Sequence, residues 1–294
     1  MQGKNIQNKF QNIYYNKCIM EDMERYKHLN EYLKEKFGER TLKICVDGGF
    51  TCPNRDGEIG YGGCIYCSER GSGELITCKE SVQEQVKHYF TTYRANRANK
   101  FIVYFQNFTN TYDTVENLKR KYDSALIDDR IVGLEVGTRP DCINEEIAKL
   151  LASYKEKYYV CVELGLQTSN DEIGKIINRG YTSKQFTEAV EILNKYDIDV
   201  VAHIMVGLPK ETKKDIEDTV NFINKHKLQG VKIHSTYVVE NTVLADMYRK
   251  GEYKALDLDD YIETLIDIMV HLKPNLIIHR ISGDAPKDIL VAPY

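Results

Sequence analysis

This chain predicts a parallel α/β architecture, on three observations. Short apolar runs rich in β-branched residues recur along it, amphipathic helical stripes fit between them, and the runs are nearly continuous rather than alternating apolar with polar. Strands of that kind, joined by helices, belong to a parallel sheet clad in helices. The expected strands are 42–46, 101–105, 131–136, 158–164, 198–206, 231–239 and 276–281.

The helices follow in order. Residues 1–23 are polar and unpatterned and are expected to form a tail, with Met20 or Met23 as alternative starts. From Glu24 a helix is expected, with Tyr26, Leu29, Leu33 and Phe37 on one face and Gly38 as its stop. Ser81 and Glu84 make a capping box ahead of Val82, Val86, Tyr89 and Tyr93. Val115, Leu118, Tyr122 and Leu126 mark the next helix, and Ile147, Leu150, Leu151 and Tyr154 the one after. Thr182 and Gln185 make a second box, leading Phe186, Val190 and Leu193. Stripes at Ile216, Val220 and Ile223, and at Tyr261, Leu265, Ile268 and Leu272, complete the set.

Composition bounds the function. The 294 residues suffice for one large domain or two small ones. Lys+Arg 40 against Asp+Glu 44 excludes a global polycationic grip on nucleic acid. Local basic stretches remain, Lys119-Arg120-Lys121 and 94–100, which solvated helix faces explain equally well. With 42% hydrophobic and 29% charged residues the chain is not wholly disordered. No apolar run reaches the roughly 18 residues of a membrane span, and no secretory segment opens the chain, so a soluble cytoplasmic protein is expected. In that setting eight cysteines point to metal or redox chemistry rather than disulfides.

An open doubly wound sheet and a complete or partial (β/α) barrel both fit this length. The absence of Gly-x-Gly-x-x-Gly after the first strand argues against the dinucleotide-binding option. In a barrel the loops after the strands carry the chemistry. There the sequence places Cys52, Cys64 and Cys67, spaced Cys-x11-Cys-x2-Cys, with Gly57, Gly60, Gly62 and Gly63 between them. Thiolates suit zinc or iron–sulfur clusters. Structural zinc wants a fourth ligand, and Cys45, on the preceding strand, is expected to point into the core. Three close thiols without a fourth suggest a cluster with one iron open. A zinc knuckle completed by Cys45, Cys78 or a histidine, and cysteines that only pack, are the alternatives. Cys18, Cys45, Cys78, Cys142 and Cys161 form no further Cys-x-x-Cys pair; of these, Cys142 alone sits at a strand C-terminus.

The cysteine loop resembles that of the radical S-adenosylmethionine (SAM) superfamily, although the commonest spacing there is Cys-x3-Cys-x2-Cys. The longer loop looks like the branch holding the YhcC/YtqA-type proteins and the Elongator catalytic subunit. The resemblance runs from about Leu42 to Tyr294 and rests on ordered segments. They are Gly-Phe-Thr-Cys-Pro-Asn-Arg-Asp-Gly (49–57), Tyr-Phe-Gln (104–106), Val-Gly-Thr-Arg-Pro-Asp-Cys (136–142) and Glu-Leu-Gly-Leu-Gln-Thr (163–168), followed by Asn-Arg-Gly (178–180), Val-Gly-Leu-Pro (206–209), Val-Lys-Ile-His (231–234) and His-Arg-Ile-Ser (279–282). It implies a partial (β/α)6-type TIM barrel with a short N-terminal helical lead-in and a C-terminal strand/helix extension. The implied division is 1–23 tail, 24–240 barrel and 241–294 extension.

The resemblance also implies a 4Fe-4S cluster on Cys52, Cys64 and Cys67. SAM would chelate the open iron, and reductive cleavage would yield a 5′-deoxyadenosyl radical that abstracts a substrate hydrogen. An electron donor such as flavodoxin or ferredoxin is implied with it. Gln106 maps near the SAM amino group, Thr138 and Arg139 follow the third strand, Glu163 and Gln167 map to the ribose hydroxyls, Arg179 to the SAM carboxylate and Gly207 beside adenine. The bland alternatives are interior salt bridges for Glu163 or Arg139, a strand cap for Gln106, a helix-end cation for Arg179 and a plain turn at Gly207. Lys232, His234 and Tyr237 are expected to alternate on the sixth strand and face the substrate together, with His203 and Arg280 as further candidates. An internal hydrogen-bond network is the alternative for that set. The implied substrate is tRNA, at the carbon-5 side chain of the wobble uridine, where a carboxymethylaminomethyl group would become aminomethyl. Two rivals stand beside this: a radical SAM enzyme acting on a small metabolite, and a zinc-stabilised RNA-binding module. The second cysteine set of a methylthiotransferase is missing.

Overall fold

A computed structural model describes residues 26–71, 80–283, 285 and 287–293. Cys18, Cys78, Met20, Met23, Glu24 and the tail 1–23 lie outside the described residues. Strands β1 (Lys27–His28), β2 (Thr41–Val46), β3 (Lys100–Phe105), β4 (Ile131–Thr138), β5 (Tyr159–Gln167), β6 (Asp199–Val206), β7 (Gly230–Ser235) and β9 (Ile277–Arg280) form one sheet. Its order is β1-β9-β7-β6-β5-β4-β3-β2, and every neighbouring pair is parallel. The sheet curls into an open half-barrel, the partial TIM barrel that the sequence implied. A two-stranded antiparallel sheet, β8 (Val238–Val239) with β10 (Leu290–Ala292), closes the C-terminal part.

Helices α1 (Leu29–Phe37), α2 (Val82–Thr91), α3 (Val115–Ala125), α4 (Glu145–Ser153), α5 (Asp171–Ile176), α6 (Ser183–Lys195), α7 (Lys213–Lys225), α8 (Val243–Arg249) and α9 (Leu258–His271) make the connections. Both expected capping boxes form, and two more appear, His28 with Glu31 and Thr212 with Asp215. The first helix begins at Leu29, because Lys27 and His28 pair with Ile277 and Ile278 as an edge strand before His28 caps it. The expected strand 231–239 is two strands: β7 stops at Ser235, where the Thr236 amide makes the last rung to the Val206 carbonyl, and Val238 and Val239 pair with β10 instead. Residues 241–294 do more than pack on the barrel, since they supply β9, hydrogen-bonded to β7.

The strands carry two different faces. Outward residues such as Val103, Phe105, Val136, Val162, Leu164, Ala202 and Ile233 are fully buried under the helices. Inward, the same strands present Lys43, Cys45, Tyr104, Glu135, Cys161, Glu163, His203, Lys232 and His234 in alternate positions. Cys45 therefore does not point into the core; it lines the half-barrel's hollow and is solvent-exposed. A second apolar cluster sits at the strand C-termini, joining Ile65, Ile173, Ile177, Met205, Leu208, Val238, Leu244 and Ala245. It forms the floor on which the cysteine loop rests.

Candidate active site

The cysteine loop leaves β2 at a fixed angle. Gln85 of α2 accepts from the Asp47 amide at 2.8 Å and donates to its carbonyl at 2.9 Å. The Asp47 carboxylate accepts from the Gly49 amide at 2.7 Å and from Asn107 Nδ2 at 2.6 Å. The loop then folds on itself: the Gly63 amide bonds the Asn54 carbonyl at 2.8 Å, and the Arg55 guanidinium donates to the carbonyls of Cys67 and Ser68 at 2.9 and 2.5 Å. Gly63 has φ +79°, and a Cβ there would lie 2.8 Å from Arg55 Nε, so this crossing needs glycine.

The turn after α5 staples the loop from outside. Asn54 Nδ2 donates to the Asn178 carbonyl at 2.6 Å, Asn178 Nδ2 donates to the Gly63 carbonyl at 2.7 Å, and the Ile65 amide bonds the Ile177 carbonyl at 3.1 Å. The resulting cradle holds Cys52, Cys64 and Cys67, all partly exposed at the barrel mouth. Burial pushes the Cys67 thiol up to about 12, and it pushes Cys64 up as well, against the pull of the Arg139 guanidinium and Tyr66. A bound cation that deprotonates them would reverse that cost. Among the described residues, the trio of His, Cys, Asp or Glu whose ligand atoms all lie within 4.8 Å of one another is Glu135, Glu163 and His279, not the cysteines. The more open thiol set fits a cluster with a separate iron for each sulfur better than one tetrahedral ion.

The other predicted residues separate into groups. Gln106 follows β3 at the mouth, its amide bonded to the Val46 carbonyl. Gln167 ends β5 at φ +64°, with its Oε1 buried and unpartnered. Gly207 follows β6 at φ +85°; its amide donates to half-buried Glu211, and its carbonyl accepts from the Tyr253 hydroxyl at 2.6 Å. These three positions ring the mouth. Thr138 faces outward instead, bonding Thr111 at 2.6 Å. Arg139 pairs with Asp141 at 2.7 Å, donates to the Arg179 carbonyl at 2.9 Å and lies over the Tyr181 ring. Arg179 is 0% exposed and directed inward to the carbonyls of Leu166, Thr168 and Tyr181 and to Asp171. It braces the stapling turn.

Glu163 lies deeper, at the centre of a charged interior. Its carboxylate accepts from Lys232 Nζ at 2.7 Å, Tyr104 Oη at 2.5 Å and Lys43 Nζ at 3.4 Å, while Lys43 also bonds Glu135 at 2.5 Å. Burial alone would raise the Glu163 carboxyl, but the two ammonium groups hold it well below the usual range. Lys232 and His234 share this interior. Tyr237 lies outside their alternation: it is three residues beyond His234, an odd offset, and past the end of β7. Its ring nevertheless approaches the same spot, since a Cβ on Gly283 would lie 2.8 Å from His234 Nδ1 and 3.4 Å from Tyr237 Cε2. Cys142 stands beside Arg139 on the turn after β4, and burial pushes its thiol up to about 12.

Sequence reasoning singled out the cysteines but missed the residues that shape their loop, Asn54, Arg55, Asn178 and Tyr66. Asn178 carries a local signal in the sequence, an asparagine just before Arg-Gly, and the structure places it in the left-handed region (φ +52°) that asparagine tolerates. Tyr66 packs against the floor cluster, which also holds Leu208 of the turn at Gly207. Glu135 and Lys43 became recognisable only when the curled sheet brought them to Glu163.

A model of the radical SAM superfamily matches residues 52–223, and one of the Radical_SAM C-terminal domain matches 228–294. YtqA of Bacillus subtilis is 37% identical over 277 residues, covering 92% of this chain and 84% of YtqA. YhcC of Escherichia coli K12 is 35% identical over 262 residues, 89% of this chain and 84% of YhcC. Bovine Elongator complex protein 3 is 27% identical over 187 residues, 62% of this chain and 32% of that protein. Among solved structures, the Elp3 of the archaeon Methanocaldococcus infernus overlays with a TM-score of 0.63 at 20% identity, covering 85% of this chain and 58% of that one. Coproporphyrinogen III oxidase (HemN) of Escherichia coli, described as a radical SAM enzyme, overlays at 0.55 with 13% identity, covering 82% of this chain and 54% of that one. The chain belongs to the radical SAM superfamily, whose members use a 4Fe-4S cluster and S-adenosylmethionine.

Proposed function

We propose that the protein is a radical SAM enzyme that modifies the carbon-5 side chain of the wobble uridine in tRNA. The observation that carries this reading is the placement of three thiols on one stapled loop at the mouth of a half-barrel with a polar interior. When bound and reduced, the cluster supplies an electron that cleaves SAM to the 5′-deoxyadenosyl radical. Cys52, Cys64 and Cys67 would hold the cluster. Gln106, Gln167 and Gly207 would orient SAM from the rim, and Arg139 and Arg179 would fix the turns against which the loop leans. The hollow between β2 and β7 would admit the base edge, with Lys232 and His234 contacting it and the walls excluding water.

The likeness to Elongator complex protein 3 and to the archaeal Elp3 fold supports tRNA as the substrate class. The basic run Lys119-Arg120-Lys121 contributes little to a tRNA grip, because Lys119 pairs with Asp123, Arg120 with Asn117 and Lys121 with Asp113. The test is anaerobic reconstitution with iron and sulfide, reduction, and chromatography for 5′-deoxyadenosine, with and without undermodified tRNA. Wild type is expected to form it and the Cys64→Ala variant to form none. A colourless protein that binds zinc tightly and makes no 5′-deoxyadenosine would refute the reading. Product formation that no tRNA stimulates would leave the radical chemistry and remove tRNA.

A further inference from the structure

The interior wall of β6, β7 and β9 holds buried polar atoms that the protein itself leaves unsatisfied. His203 and His234 pack ring against ring, centroids 4.3 Å apart at 50°, and the Nε2 of each is buried without a hydrogen-bond partner. Nδ1 of His279 is a third such atom, 3.9 Å from Glu163 Oε1 and so beyond hydrogen-bonding reach. Buried polar atoms in folded proteins are nearly always paired, so orphans sharing one wall of a hollow take their bonds from water or from a ligand that displaces it.

Charge says which kind of ligand. Lys232 projects from this wall with Arg280 as its register partner on β9; burial depresses Lys232 and both imidazoles, and the Arg280 guanidinium adds to it. Lys43 adds a second ammonium to the same interior. Glu135 and Glu163 oppose them, yet burial and the neighbouring Glu163 push the Glu135 carboxyl up to about 8, against the pull of Lys43. Lys43 and Lys232 pair with the two carboxylates, while Arg280, at the exposed edge of the same wall, pairs with neither and is the cation an arriving anion would meet. The ligand atoms of Glu135, Glu163 and His279 converge within 4.8 Å, but ammonium groups already sit on both carboxylates and repel a metal ion. An ammonium has three donors. Lys232 directs bonds to Glu163 and Tyr104, which leaves donor capacity for a ligand.

We propose that His203, Lys232, His234 and Arg280 form a subsite for an anionic group on the substrate, a carboxylate or a phosphate. The subsite faces the cysteine loop from the far flank of the sheet, so an anion held there places the rest of the substrate in the hollow between them. It rests on the reading that substrate enters the half-barrel, and a carboxylate matches the carboxymethylaminomethyl group.

The test titrates the cluster-loaded, SAM-bound protein by calorimetry with 5-carboxymethylaminomethyluridine and with its methyl ester. In parallel, the melting temperature is recorded in acetate, phosphate and chloride at equal ionic strength. The acid is expected to bind at least roughly tenfold more tightly than the ester, as for a charge-assisted hydrogen bond. Arg280→Gln, an exposed position whose change leaves the core intact, should erase that preference, and Lys232→Met should do the same. If acid and ester bind alike while phosphate alone raises the melting temperature of wild type and not of Arg280→Gln, the anion is a phosphate. If neither nucleoside binds but acetate or phosphate stabilises wild type and not the variant, the uridine reading fails and the anion subsite stands. If acid and ester bind alike, or not at all, and neither anion stabilises the protein, the subsite does not exist.

Discussion

Val162 and Glu163 are neighbours on one strand, and their surroundings have little in common. Val162 points outward into a core of helix-covered aliphatic side chains, where every neighbour is interchangeable in kind. Glu163 points inward to two lysines and a tyrosine, where each partner has a specific charge and direction. The outer face is held by the hydrophobic effect, which is non-directional and tolerates exchange of shape for shape. The inner face is costly to bury and persists because its groups are mutually paired, so stability alone does not account for it. The difference teaches where to look for function on this scaffold: on the face whose burial is hardest to justify.

The largest expected effect breaks the outer face. Phe105 is fully buried and packs edge-on against Tyr122 at 5.1 Å, so Phe105→Ala should cost about 3–5 kcal/mol in urea unfolding, with activity lost only because the fold is lost. A weaker cost, under about 1 kcal/mol, would mean that the face is less tightly packed than it looks.

The inner face should behave in the opposite way. Replacing its network together, with Lys43→Met, Tyr104→Phe, Glu135→Leu, Glu163→Leu and Lys232→Met, should leave unfolding free energy unchanged or raise it by about 1–4 kcal/mol. The same variant should lose substrate-stimulated 5′-deoxyadenosine formation. If stability collapses instead, the network is structural and the contrast between the faces is false.

A smaller effect sharpens the comparison through pH. Burial, aided by Lys232, holds the His203 imidazole down to about 3, and burial holds His279 down to about 4. Both accept a proton near 6.5 once unfolded. Between those values the unfolded chain binds more protons than the native one, so this contribution is full above about 6.5 and lost as pH falls toward 3–4. The raised Glu135 carboxyl acts in the opposite direction, so the imidazole is read from a difference: relative to His203→Asn, the wild-type urea midpoint should fall from pH 7 to pH 4. An identical slope in the two proteins would place the imidazole in water. The smallest effect belongs to neither face: Lys119→Ala breaks an exposed pair with Asp123 and should stay within about 0.5 kcal/mol of wild type.

Much of this protein is determined by local sequence. Capping boxes at Ser81 and Thr182, the glycine stop at Gly38 and the apolar stripes of the helices place their elements because caps and periodicity act over a few residues. The three cysteines are legible for the same reason, lying within sixteen residues on a glycine-rich loop. Tertiary structure alone decided the rest. Lys27 and His28 become a strand only because Ile277 and Ile278, some 250 residues away, offer them an edge. The expected strand 231–239 divides because Val238 and Val239 find partners in Ala292 and Leu290 rather than in β6. Arg179 turns inward because carbonyls from β5 and the carboxylate of α5 surround it. The interior of Lys43, Tyr104, Glu135, Glu163 and Lys232 draws one residue from each of five strands. No window of sequence contains it, because its charges become neighbours only when the sheet curls and become costly only when water is excluded.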